Sequence, residues 1–291
     1  MPELVWSLQS TANPRGLQMA RESNELILWD DQYWITRFDS DGRSQGKVHQ
    51  SARIVSATIS EDGTAIVAAD QSGSVFWYRP DFSIRWQESL PSKPLCVALD
   101  APGSLVAMCD SDSQLHLFDD HGIVQSRIKL PRPLHQLRWC PGESELVGIS
   151  NYGFVVRVNP QSGAITWRDT PVIHHGGLAI LTETKANSLQ SQAIVACFSD
   201  GVRGYDSRGN PMRFHEKQPA CRDVATAVLA PLWALAGVEA RIDGFRDSGA
   251  HWFHLPTASP AVGIALESSG ERLYAALQDS TICCLKLPRP K

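Results

Sequence analysis

The sequence has no long hydrophobic run, no paired-cysteine spacing and no large excess of either charge. No window approaches the roughly 20 apolar residues of a membrane-spanning helix. The first residues, MPELVWSLQSTANPRG, carry Glu3 and no apolar run of leader length, so no membrane association is expected. Basic and acidic residues number 27 and 31, a net charge of -4, which leaves no basic field to attract nucleic acid. The seven cysteines are an odd number without a C-x-x-C pair. Cys109, Cys197, Cys283 and Cys284 lie inside apolar runs, a pattern that suits buried reduced thiols and a cytoplasmic chain better than a disulfide framework. A phosphate loop, an H-E-x-x-H pair and a zinc-spaced set of Cys and His are also missing. No catalytic residue, metal site or cofactor is therefore expected from local motifs.

What is present is a repeat. Residues 55 to 90 contain four short apolar runs, VSATI, TAIVAAD, SVFWYR and IRWQESL, separated by SEDG, QSG and PDF, the punctuation of antiparallel hairpins. The end of the third run, a large apolar residue, recurs at Phe38, Tyr78, Phe118, Val158, Tyr205, Phe245 and Leu285, with spacings of 40, 40, 40, 47, 40 and 40. Polar residues 182 to 192 account for the long interval and read as a loop insertion between a first and a second strand. A second column, in the first strand, runs Leu17, Ala57, Val97, Leu137, Gly177, Val224 and Ile264, with a further apolar or small residue two positions on. Too little chain follows Leu285 for another strand, whereas LeuValTrpSerLeuGln (4–9) precedes the first unit. Residues 257–287 should therefore be completed by residues 1–10 as one closing sheet, which removes an open edge.

The pattern predicts an all-β, seven-bladed β-propeller of four-stranded antiparallel blades, a single domain over residues 1–291. Period, strand order and the pairs Phe38-Asp39, Phe118-Asp119 and Tyr205-Asp206 resemble the WD40-like propeller family across essentially the whole chain. The literal Trp29-Asp30 follows the second strand instead and is read as coincidental. PheAspSerAspGly (38–42), ProGlnSerGlyAlaIleThrTrp (160–167) and TyrAspSerArgGly (205–209) are similar to repeat endings of quinoprotein-like propellers.

Candidate binding residues come from one column, the entrance of each first strand. There the 40-residue alignment places Arg15, Val55, Leu95, His135, His175, Arg222 and Val262, with His174 and Asp223 adjacent. Arg15, His135, His174, His175, Arg222 and Asp223 are the candidates, because imidazoles and guanidinium groups at one height can bind an anion or a carboxylate. The expected function is a non-catalytic scaffold that binds a protein or peptide partner on one face. The alternative is a propeller enzyme or small-ligand binder, a hydrolase or lyase acting on a carboxylated or sugar substrate through that cluster. A quinone cofactor is a more distant option.

Overall fold

Alternating side chains in short runs form half-buried strands, and the Gly, Asp and Ser clusters between them close hairpins. The computed structural model describes residues 1–185, 188–212, 214, 218–246 and 249–289. Among these, every regular element is a strand, and the strands make seven four-stranded antiparallel sheets. The fold class is the all-β, seven-bladed β-propeller. Blades one to six span 14–49, 54–89, 94–129, 136–169, 175–212 and 221–256, each with its strands in chain order. The closing blade joins Ala261–Leu266, Arg272–Leu277 and Thr281–Lys286 to Glu3–Gln9, with Glu3 opposite Lys286 and Leu8 opposite Ile282. The two ends of the chain share this sheet, as their sequences require.

The repeat columns are buried columns. Phe38, Tyr78, Phe118, Val158, Tyr205, Phe245 and Leu285 are each less than a tenth exposed. Backbone packing groups the chain into two compact units, 18–171 and 1–17 with 172–291. Within 18–171, apolar cores lie between the facing sheets of successive blades, for example Ile27, Ile35, Ile66 and Tyr78 between blades one and two. Leu117, Leu137, Phe154 and Val156 do the same between blades three and four. In the second unit, Ile194, Leu235 and Phe245 join blades five and six, and Ile242, Ile264 and Leu285 lie in the core of blade six and the closing blade. Phe82 takes the left-handed turn position (φ +63°) that glycine holds at Gly42, Gly122 and Gly209. Its strain is offset by burying the ring against Tyr78 and Gly46.

Polar turns repeat as regularly as the cores. Asp30, Asp70 and Asp110 end the second strands of blades one to three and are nearly inaccessible. Each Oδ1 accepts from the N–H groups two and four residues on: Gln32 and Trp34, Ser72 and Ser74, Asp112 and Gln114. Trp29-Asp30 does end the second strand, so it is not the third-strand Trp-Asp signature, and its Asp belongs to this structural column. Asp39, Asp119 and Asp206 close the turn into the fourth strand in the same way.

Two expectations need correction, both in blade five. The segment 182–192 is not a loop: the first and second strands extend to His175–Lys185 and Ser188–Cys197, with Thr182 opposite Ser191 and Lys185 opposite Ser188. Residues 186 and 187 lie outside the described residues. The absence of Gly or Pro lets the polar segment lengthen the ladder. The register also slips by one. The partner of Val195 is Leu178, where Val97 faces Met108 and Leu137 faces Gly148 in blades three and four. Leu178, not Gly177, holds the buried column position.

Candidate functional site

Most first strands carry a β-bulge at their entrance. The register shifts between Ile54 and Ser56, Pro94 and Cys96, Cys221 and Asp223, and Ala261 and Gly263, so Val55, Leu95, Arg222 and Val262 are the extra, unpaired residues. A bulge releases its residue from the ladder pairing, and these four residues are partly exposed. His135 holds the corresponding place in blade four. Because of the slip in blade five, His175 does not. It pairs with Cys197 as Pro94 pairs with Asp110 and Cys221 with Gly237, and it is 3% exposed. The corresponding bulge falls at Gly176 and Gly177. His175 therefore does not share the bulge position that Arg222 holds in the adjoining blade.

In the unit 18–171, His135 is half-buried, its Nδ1 accepts from the Asn151 N–H at 3.3 Å, and burial holds its pKa below the ordinary 6.5. The other candidates, Arg15, His174, His175, Arg222 and Asp223, all belong to the second unit. There the first strands of blades five, six and seven lie side by side. A Cβ on Gly176 would overlap the Arg222 carbonyl oxygen, and one on Gly177 would stand 2.7 Å from Asp223 Cα. Only glycine allows the two backbones to approach so closely. Asp223 Oδ2 accepts the Ile264 N–H at 3.0 Å, across to the closing blade. Ser56 makes the equivalent bond to Val97 N in blades two and three, at 3.3 Å. Asp223 is thus a clamp between innermost strands, a role the sequence did not suggest.

Arg222 is different. Its Nε is buried and has no hydrogen-bond partner, while the residue as a whole is partly exposed. Arg15 is exposed at the start of blade one, and Gly263 of the closing blade packs against its neighbour Leu17. Next to Arg222 on the blade-five side, the Phe198 N–H donates to the His174 carbonyl at 3.2 Å, joining the second-to-third-strand turn to the strand entrance. Phe198 is 44% exposed and Val172, two residues before His174, 82%.

Sequence reasoning passed over three features. Asp243, buried in the third strand of blade six, lies against His254 Nδ1 at 2.7 Å, Arg241 Nε at 3.0 Å and His251 Nε2 at 3.5 Å. Hairpin pairing of Asp243 with His254 creates it, and strand alternation could have indicated it. His116 Nε2 contacts Asp110 Oδ2 at 2.9 Å, both buried. Gly42-Arg43-Ser44-Gln45-Gly46 has the spelling G-x-S-x-G, yet Ser44 opens an outer strand and no helix follows. The nucleophile elbow that gives this spelling its chemistry needs a strand-to-helix turn.

The thiols offer no nucleophile either. All seven cysteines are buried, and none forms a disulfide. Burial pushes Cys109 and Cys221 up to about 12 and Cys197 and Cys283 up to about 11. No protein-family model matches the chain, and no curated protein matches it.

Proposed function

We propose that the protein is a non-catalytic interaction scaffold, of the WD40-like kind its repeats resemble, which holds a protein or peptide partner on one face. The observation that carries the reading is the exposure of Val172 and Phe198 beside the first-strand entrances of the unit containing blade five. Apolar side chains left open next to cationic ones are the raw material of an interface centre. Several reactive groups are meanwhile engaged in the framework: Asp223 in a strand clamp, His175 in a buried ladder position, the cysteines in cores. Buried reduced thiols also suit a cytoplasmic setting.

The test is affinity capture with the purified full chain and with a V172D/F198D variant that retains the wild-type unfolding midpoint. A stoichiometric partner held by the wild type and lost by the variant supports the scaffold. The second reading, a binder or enzyme for a small carboxylated or sugar substrate, draws on the unpartnered Arg222 Nε. A co-purifying small molecule, released by R222Q and accompanied by no protein partner, would favour it.

A further inference from the structure

We propose that the partner docks by a peptide segment presenting a single carboxylate beside a bulky apolar side chain, with Arg222 as the carboxylate anchor. This rests on the interaction reading above and adds the chemistry of the partner.

Three observations carry it. First, a guanidinium whose Nε is buried without an acceptor is an unmet donor, and a carboxylate is the acceptor that matches its planar fork. The bulge at Arg222 frees that side chain from the ladder. The nearest carboxylate in sequence, Asp223, directs Oδ2 to Ile264 N instead.

Second, the flank is apolar. Val172 and Phe198 are exposed, and the Phe198 N–H bonds to the carbonyl of His174, two residues after Val172 and two before Gly176, whose backbone lies against that of Arg222.

Third, the charges further out set a limit. Asp200, Glu239 and Asp279 are exposed in the second-to-third-strand turns of blades five, six and seven, whereas Arg222 and Arg15 stand at first-strand entrances. A run of acidic residues or a nucleic-acid backbone would meet these carboxylates, and like charges oppose it. One carboxylate directed inward, with neutral apolar neighbours, avoids them.

The experiment is selection of a random dodecapeptide display library on the full chain, followed by fluorescence anisotropy with an enriched peptide. The enriched sequences should share one Asp or Glu within about three positions of Phe, Trp, Leu or Ile, the reach of neighbouring side chains on an extended peptide. R222Q should weaken binding by about tenfold or more, the usual scale for a charge-assisted hydrogen bond. Replacing the peptide carboxylate by its amide should cost a similar factor on the wild type and little more on R222Q, because the two changes remove one interaction. The amide substitution read on wild-type protein alone keeps the test decisive if R222Q does not fold, because an amide peptide that binds wild type as tightly as the carboxylate overturns the anchor. Independent, multiplying losses, or enriched peptides without an acidic residue, would overturn the anchor while leaving the scaffold standing. Preference for acidic runs or for a single-stranded oligonucleotide would also overturn it. Failure to enrich any peptide would count against both readings.

Discussion

Removing the Asp70 carboxylate tests whether the aspartate column is framework. Asp70 is 1% exposed, and its Oδ1 accepts from Ser72 N at 2.8 Å, Ser74 N at 3.1 Å and Ser72 Oγ at 2.6 Å. Asp70→Ala leaves two turn N–H groups without their acceptor. Bonds to a charged group contribute about 1.5–3 kcal/mol each, and part of that returns if water reaches the turn, so a loss of about 3 kcal/mol is expected. For a chain of this size, each kcal/mol shifts the unfolding midpoint by roughly 2 °C, which makes the change about 6 °C. Asp70→Asn retains the Oδ1 acceptor and removes a buried charge whose second oxygen, Oδ2, has no partner. It should stay within about 1 kcal/mol of wild type, since the hydrogen bonds survive. The assay is thermal unfolding followed by tryptophan fluorescence and circular dichroism. An alanine variant as stable as wild type, or an asparagine variant as damaged as the alanine one, would refute the reasoning.

Gly177→Ala should destabilise the protein by about 1–3 kcal/mol, because the added methyl has no room against Asp223; unchanged urea unfolding would contradict that close approach. Native protein at pH 8 should leave all seven buried thiols unreacted toward a thiol-specific disulfide reagent and release them on unfolding in urea, whereas fast native labelling would show that the cores open. Burial pushes the Asp206 pKa up, but bonds from Asn210 Nδ2 and from the Asn210 and Arg208 N–H groups outweigh it and hold the pKa below the ordinary 3.8. That contribution is present above 3.8 and is lost as pH falls through the folded value. The stability advantage of wild type over Asp206→Asn should therefore shrink below pH 3.8, and an advantage constant through acid would exclude the linkage.

How much of the molecule was legible depends on the range of the interaction that decides each feature. Blade number, strand order and the closing sheet follow from alternation and turn chemistry, which act over a few residues and repeat. The seven third-strand residues from Phe38 to Leu285 could be named from spacing alone, and all are buried. The columns Asp30, Asp70 and Asp110 were equally periodic, but their function needed the turn N–H groups to be seen.

The site was less legible. A fixed 40-residue offset aligned His175 with His135, and one slipped residue in the ladder removed the equivalence. Strand register follows from which face each side chain buries, so a single-residue shift moves a histidine from an unpaired bulge to a buried pair.

By itself the sequence determined the repeat, the all-β class, the seven blades and the joining of the chain ends in one sheet, because local hydrophobic periodicity encodes them. Only the tertiary structure decided that 182–192 extends a hairpin, that Asp223 clamps Ile264, and that Arg222 keeps a buried donor without an acceptor. Those outcomes depend on which backbone groups of a neighbouring strand come within hydrogen-bonding reach, and no spacing along a single chain specifies that.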